Sequence, residues 1–352
     1  YMTIHDGKVE IKSAGNLHGK STSGKTKLVL EELKDEKFKV AVIGPGGENL
    51  IKFANIMIES RAAGRCGAGA VMGSKNLLAI AVRGSGKVPV AKPKEFSELC
   101  KSTTQRILKT QEKEPFNWAH GGTTQYMLMA DTLGDQPTKN FRSNSSGKAQ
   151  EIYTRFRANN LIKGYNCYTG CVLRCGRYVK SDSEKWKTPP HGGAEYETMS
   201  AFTFFVMNED ESAAVHAGYL CNEYGIDTIS SGGVIAFAMD CYDQGILSKA
   251  DLDGIDLTWG NPDAIVAMVH KIGKREGIGK LLGEGVRIAA QKIGKGSEQY
   301  AIHIKGLEGA AHDARSSKLL ALTYGTGSRG MCHTHQCEGL IFDSIKMDLG
   351  LQ

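Results

Sequence analysis

The sequence predicts an α+β fold, a mixed α/β N-terminal part followed by mostly α-helical domains. Three observations carry that expectation. Up to Val82, short apolar runs alternate with glycine-rich loops and short helical patterns. GSGKVPVAKP, residues 84–93, then interrupts the pattern with glycine and proline, which end regular structure. Beyond it, apolar residues recur at helical spacing.

Residues 1–12 alternate as a hairpin whose turn is Asp6-Gly7. Residues 25–37 read as a helix with Leu28, Leu30 and Leu33 roughly on one face. KVAVI, residues 39–43, is a strand that runs into Gly44-Pro45-Gly46-Gly47. A helix is expected over 51–60, a glycine-rich loop over 61–76 and a strand over 77–82. Residues 95–113 form a long amphipathic helix. Residues 211–224 form another, which Gly225 closes. Asp227 opens the next, through Tyr242 and stopping near Gly245. Asn261-Pro262-Asp263 supplies an N-cap, a proline at the first helical position and an acidic first turn. Ile265, Val269 and Ile272 follow on one face.

A chain of 352 residues, 41% hydrophobic and 23% charged, is an ordinary globular composition and excludes wholesale disorder. The longest apolar run, residues 77–82, is far short of a membrane span, and no charged-then-apolar leader opens the chain. A soluble, cytoplasmic protein without a membrane partner is expected. The first 114 residues hold 20 Lys/Arg against 12 Asp/Glu, which points to an anionic ligand. No basic stripe interleaved with aromatics is present, so nucleic acid is not expected. Glycine is 43 of 352, well above the usual ~7%, and marks places where backbone approaches something closely.

Two motifs invite nucleotide readings. Residues 19–26 fit the phosphate-loop pattern G-x-x-x-x-G-K-[ST], in which Lys25 would reach phosphates and Thr26 a magnesium ion. No buried strand delivers the chain into that loop, so a solvated helix entry is the better reading. KVAVIGPGGEN resembles the start of a dinucleotide unit, but Pro45 interrupts the glycines and no strand ending in an acid follows about 20 residues on.

RAAGRCGAGAVMGSKN, residues 61–76, is more informative. Gly64, Gly67, Gly69 and Gly73 would let backbone amides approach a ligand, and Arg61 and Arg65 add planar cationic forks suited to phosphate. The plain alternative is a tight packing loop. Nine cysteines in a chain this long do not make a secreted disulfide scaffold. Three of them, Cys167, Cys171 and Cys175, lie within nine residues and suit one face of an iron–sulfur cubane. Zinc usually takes paired C-x2-C hooks, which are absent. Cys332-His333-Thr334-His335-Gln336-Cys337 is a second dense patch, too crowded for more than one or two functional residues. Glu197, in AEYET, alone reads as an exposed acid at a helix start, and Asp227 alone as an N-cap.

Together these stretches resemble the tungsten-containing aldehyde:ferredoxin oxidoreductase family. The resemblance rests on IGPGGENLIKFANIM and RAAGRCGAGAVMGSKNLLAIAV within residues 43–82, then NCYTGCVLRCGR, AEYET, CNEYGIDTISSGGVIAFAMD and RGMCH in the family's order. It implies a tungsten or molybdenum bis-pterin cofactor with magnesium bridging the pterin phosphates, and a [4Fe–4S] cluster. By similarity, Arg61, Ala62, Gly64 and Arg65 hold the phosphates, with the Ala62 carbonyl on magnesium. Asp227 grips a pterin ring, Arg329 belongs to the cofactor-binding set, and Cys167, Cys171 and Cys175 are cluster ligands. Glu197 and His333 match the polar pair beside the metal. The implied reaction oxidises a small aldehyde to a carboxylic acid, with Glu197 as general base and His333 hydrogen-bonded to the carbonyl oxygen. Electrons leave to ferredoxin or another iron–sulfur acceptor.

The resemblance also implies a domain plan. Residues 1–85 are the end of an N-terminal pterin-binding domain. Residues 90–302 form a mostly helical domain with the cysteines and Asp227, and 303–352 begin a third helical domain. Family members are longer, so a partial chain is expected, lacking an opening β-rich segment and a closing segment with the fourth cluster cysteine. Neither Cys332 nor Cys337 matches that ligand. The cysteine spacing is C-x3-C-x3-C, one residue longer than the family's C-x2-C-x3-C. His216 and Tyr219 stand where a Glu-x-x-His pair would bind iron between subunits, so a homodimer would lack that bridging iron. The other readings are a relative with another low-potential reaction such as aromatic-ring reduction, a P-loop nucleotide-binding module, and a non-catalytic fragment of the family.

Overall fold

The computed structural model describes residues 1–113 and 117–335. Strands β1 (Met2–His5) and β2 (Lys8–Ile11) form the expected hairpin. Helix α1 (Thr22–Leu33) leads to β3 (Lys39–Val42), a single-turn α2 (Pro45–Glu48), β4 (Ile56–Ile58), β5 (Arg61–Ala63), α3 (Ala68–Ser74) and β6 (Ala79–Arg83). The six strands make one sheet in the order β2-β1-β6-β3-β4-β5, with β1 and β6 parallel and the other pairs antiparallel. Its core gathers Leu17, Val29, Val40, Val42, Ile43, Met57 and Leu78.

The second part begins with α4 (Pro93–Lys113), α5 (Trp118–Gly121), α6 (Tyr126–Leu133) and α7 (Ala149–Asn159). A three-stranded antiparallel sheet follows, β7 (Leu161–Tyr165), β8 (Gly176–Ser181) and β9 (Thr188–Gly192). Then come α8 (Tyr196–Phe202), α9 (Glu211–Tyr224), α10 (Thr228–Asp243), α11 (Pro262–Lys274), α12 (Gly279–Leu282), α13 (Val286–Ile293), the short strands β10 (His303–Ile304) and β11 (Leu307–Glu308), and α14 (Lys318–Thr326). α10 is buried on nearly every side, from Ile229 to Cys241, and is the centre of the larger core. No described helix is long and apolar enough to cross a membrane.

The two parts meet backbone to backbone. A Cβ on Gly44 would lie 2.3 Å from the Tyr224 carbonyl oxygen, so only glycine fits there. Gly225, left-handed at φ 68°, ends α9 at that contact. The Asn55 amide donates to the Gly225 carbonyl at 2.8 Å, and the Asp227 amide to the Phe53 carbonyl at 2.9 Å. This junction fixes where α10 begins.

Two sequence expectations are corrected. Residues 51–60 are not a helix. Leu50 sits at φ 57°, Ala54 bridges Ile226, and Met57 pairs with Val42 and Ala62, so tertiary pairing overrides the apolar spacing. Residues 61–76 are not a loop throughout, since β5 and α3 occupy most of them. The body beyond residue 93 is mostly helical as expected, with β7–β9 flanking the cysteine segment.

The phosphate-loop motif is also settled by geometry. Ser21 caps α1, accepting from the Gly24 amide at 3.3 Å. The Lys25 side chain is fully buried; its Nζ donates to the Ile43 carbonyl at 2.7 Å and pairs with Glu48. Glu48 also accepts from the Gly19 amide at 3.0 Å, so a protein carboxylate takes the place a phosphate would fill. Removing one member of such a pair leaves the other's charge uncompensated. Lys25→Ala is expected to lower the unfolding free energy by about 3–5 kcal/mol in a urea titration. Unchanged stability, with tight nucleotide binding by the unaltered chain, would contradict this assignment.

Candidate active site

The end of β5 and the turn after it carry two arginines in different surroundings. Arg61, with 37% of its side chain exposed, pairs with Glu195 at 3.0 Å and stacks over the Tyr165 ring at 5.5 Å. Glu195 stands at the N-terminal boundary of α8, and its side chain accepts from the Thr123 hydroxyl. Burial pushes the Glu195 carboxyl up, against the pull of Arg61. Although burial opposes its charge, Glu195, Tyr165, Cys175 and Cys167 hold the Arg61 guanidinium above its usual range. That coupling places the cysteine segment beside residues 61–65.

Arg65 turns inward. Only 10% of its side chain is exposed. Its Nε reaches Asp227 at 3.3 Å, one terminal nitrogen the Met331 carbonyl at 3.0 Å, and the other the Glu308 carbonyl at 2.5 Å. One guanidinium thus ties together the β5 turn, the start of α10, β11 and the segment before His333. Asp227 is the N-cap of α10, accepting from the amides of Ile229 and Ser230 at 3.2 Å and from the Ser230 hydroxyl at 2.9 Å. Burial raises the Glu308 carboxyl, which accepts from the Val286 amide at 2.9 Å.

Cys167, Cys171 and Cys175 are free thiols on the segment between β7 and β8. The Arg174 amide foremost, with the Leu173 amide and Cys167, lowers the Cys171 thiol; burial raises Cys175. Glu197, in the first turn of α8, accepts from the Ala311 amide at 2.8 Å. Its other oxygen faces His333 Nδ1 at 3.3 Å and His312 Nε2 at 3.6 Å. His312 is buried, with Nδ1 at 2.8 Å from Asp135. Burial foremost, then His312, Arg65 and Arg329, push His333 well below its ordinary value, so it is neutral at physiological pH. Arg329 reaches Cys332 Sγ at 2.7 Å and the Thr334 hydroxyl.

The structure therefore groups Arg65, Asp227, Glu197 and His333, and sets Arg61 toward the cysteines. One reading of the glycines changes. A Cβ on Gly67, Gly69 or Gly73 would collide with the carbonyl oxygens of Lys52, Asn55 and Gly47, so these three serve internal packing. Gly64 alone of the four faces open space. Sequence reasoning missed Glu195, Glu308, Asp135 and His312. The one local signal was the His-Asp pair in GLEGAAHDARS, polar residues in a small apolar run. Cys337 lies outside the described residues. A cleft of about 940 Å³ between α1, β9 and α9 is lined by Thr26, Lys34, His191, Tyr219 and Glu223 and holds none of these groups.

The donor set fits the cofactors that the sequence resemblance implies. The open backbone at Gly64 beside the half-exposed Arg61 suits a phosphate. Asp227 Oδ1 accepts one bond and keeps a lone pair for a pterin N–H, and three free thiols within nine residues of sequence suit three corners of a cubane.

Comparisons with known proteins bear on the chain's family. The family model described as aldehyde ferredoxin oxidoreductase, N-terminal domain, matches residues 1–84. The model for domains 2 and 3 of the same enzyme matches residues 98–346. The tungsten-containing aldehyde ferredoxin oxidoreductase of Pyrococcus abyssi is 36% identical over 348 residues, 96% of this chain and 55% of that protein. The WOR-like subunit of aliphatic sulfonate oxidoreductase from Pyrococcus furiosus is 32% identical, covering 95% of this chain and 56% of that one. Among solved structures, the active-site complex BamBC of benzoyl coenzyme A reductase with 1,5-dienoyl-CoA superposes with a TM-score of 0.79 at 28% identity, over 94% of this chain and 51% of that chain. The chain spans about half the length of the curated relatives it matches.

The burial of His333 carries a pH signature. In a histidine NMR titration its ring is expected to stay neutral as pH falls through 6, because the folded state disfavours the imidazolium. Protonation near the usual 6.5 would contradict the packing described.

Proposed function

The chain belongs to the aldehyde ferredoxin oxidoreductase family, and from that premise we propose that it is the cofactor-clasping part of a tungsten or molybdenum oxidoreductase. The proposed reaction takes aldehydes to carboxylic acids and sends electrons through a [4Fe–4S] cluster to ferredoxin. The observation that supports it most is the single cationic bridge. Arg61 lies beside the cluster-type thiols, and Arg65, four residues on, reaches the Asp227 cap and the segment leading to His333.

In this reading Arg61, Ala62 and Gly64 present the phosphate end of the clasp, with the Ala62 carbonyl available to magnesium, and Arg65 backs it. Asp227 offers its remaining lone pair to a pterin ring, Arg329 closes the far side, and Cys167, Cys171 and Cys175 hold three corners of the cluster. When bound, the metal bis-pterin supplies the two-electron oxidation and the cluster a one-electron exit. The protein residues handle protons and charge. Glu197 takes the proton released as water adds to the carbonyl. Once protonated, it donates to His333 Nδ1, the tautomer in which His333 Nε2–H donates to the oxygen where charge develops. Residues 1–85 would form the pterin-binding layer, 90–302 the helical domain with the cluster and Asp227, and 303–352 the start of a third.

The likeness to benzoyl coenzyme A reductase supports a second reading, low-potential reduction of an aromatic ring at the same clasp. One assay separates the two. Enzyme produced anaerobically with tungstate is expected to carry tungsten and about four irons per chain and to oxidise aldehydes with a viologen acceptor. Glu197→Gln is expected to keep metal and iron while kcat falls about 10²–10⁴-fold. Turnover of an aryl thioester alone would favour the second reading, and a variant with full aldehyde activity would remove Glu197 from the mechanism.

A further inference from the structure

Behind Glu197 stands a histidine that the mechanism above does not use, and its surroundings assign it a task. His312 follows β11 and is packed among the rings of Tyr126, Tyr196 and His333, at centroid distances of 5.3, 5.2 and 4.8 Å. The Tyr324 hydroxyl donates to its carbonyl at 3.1 Å. The ring cannot swing. Its Nδ1 meets Asp135 Oδ2 at 2.8 Å, and its Nε2 meets Glu197 Oε1 at 3.6 Å. Asp135 is itself fully engaged. It accepts from the Tyr126 hydroxyl, the Asp313 amide and the Ser316 hydroxyl, all at 2.8 Å.

A carboxylate accepts hydrogen bonds and does not donate them. Asp135 therefore fixes the proton of His312 on Nδ1, and the lone pair of Nε2 is turned toward Glu197. Two acceptors brought face to face in a buried site need a proton between them. We propose that Asp135 and His312 form a positioning dyad that relieves Glu197 of its proton and so returns it to the basic form for the next turnover. The transfer balances within the protein. The O–H bond of protonated Glu197 breaks, its electron pair stays on Oε1, and the lone pair of His312 Nε2 forms the new N–H bond. The resulting imidazolium is compensated by Asp135 on its other side.

Among the described residues, the titratable groups facing this dyad come from several elements. They are Tyr126 from α6, Glu197 and Tyr196 from α8, Tyr324 from α14, His333 from the segment after it, and Asp313 with its partner Arg315. Arg65, which is close enough to feel Glu197, adds a positive charge beside that carboxylate. The proposal rests on the reading of Glu197 as the proton acceptor, and it holds for any substrate whose proton Glu197 takes.

The test is ¹⁵N-histidine NMR on this chain, with the His312 signals assigned by their loss in His312→Gln. Nε2 is expected to be the nitrogen that gains and loses the proton, while Nδ1 stays protonated. Asp135→Asn, whose amide can donate to Nδ1, is expected to move the proton to Nε2 and turn the dyad from acceptor to donor. In the metal-loaded enzyme the same variant is expected to lower kcat about 10²–10⁴-fold and reshape its pH profile, with KM and iron content unchanged. Neutral His312 protonated on Nε2 in the unaltered chain would overturn the proposal, as would full kcat in both Asp135→Asn and His312→Gln. The tautomer measurement needs no cofactor and no substrate, so a wrong assignment of the aldehyde leaves it decided.

Discussion

The architecture of the site depends on keeping the Arg65 guanidinium charged where only a tenth of it meets solvent. Taking an ion out of water costs several kcal/mol unless its partners are well placed. Here the partners are one carboxylate and two backbone carbonyls from three separate segments. A lysine ammonium could not reach all three, because its donors diverge from one point whereas the guanidinium presents a planar fork. Asp227 can serve as the anionic partner because α10, buried almost all round, fixes its cap position. The helix N-terminus in turn favours the carboxylate there.

A second consistency runs through the charges. Burial pushes Glu195 and Glu308 toward their neutral forms and pushes His333 the same way. Arg61 and Arg65 are held in their charged forms instead. Burial thus weighs against charge on these two carboxylates and this imidazole, while the two guanidinium groups keep theirs. That is the electrostatic setting in which a phosphate-bearing ligand is welcome and thiolates remain compensated. The Asp135–His312–Glu197 line sits at the inner edge of this setting, where proton position decides which group is charged.

Much of the fold was legible because local chemistry announced it. Asp6-Gly7 turned the hairpin, Gly225 closed α9, Asp227 and Asn261-Pro262-Asp263 opened α10 and α11, and each does so in the structure. The misses are places where distant partners decide. Residues 51–60 carry an apolar pattern that a helix could use, yet Ala54 and Asn55 are claimed by Ile226 and Gly225 far along the chain. β7 and β8 hold each other across the cysteine segment, a pairing no window of sequence contains. The same holds for the site. Arg61 and Arg65 stood out by residue type and spacing, and Asp227 only through the family resemblance. His312 did not, because its meaning comes from Asp135, 177 positions away, and from Glu197, 115 positions away. Lys25 erred in the other direction: its motif was complete to the letter, and Glu48 gave it another use.

A crystal structure of the anaerobically purified, metal-loaded enzyme tests the central claim most directly. The result expected is a pterin phosphate on the Arg61–Gly64 backbone, with Arg65 still bound to Asp227 beneath it and a cluster on Cys167, Cys171 and Cys175. A cofactor seated elsewhere, with Arg61 and Gly64 open to solvent and those thiols without iron, would contradict it.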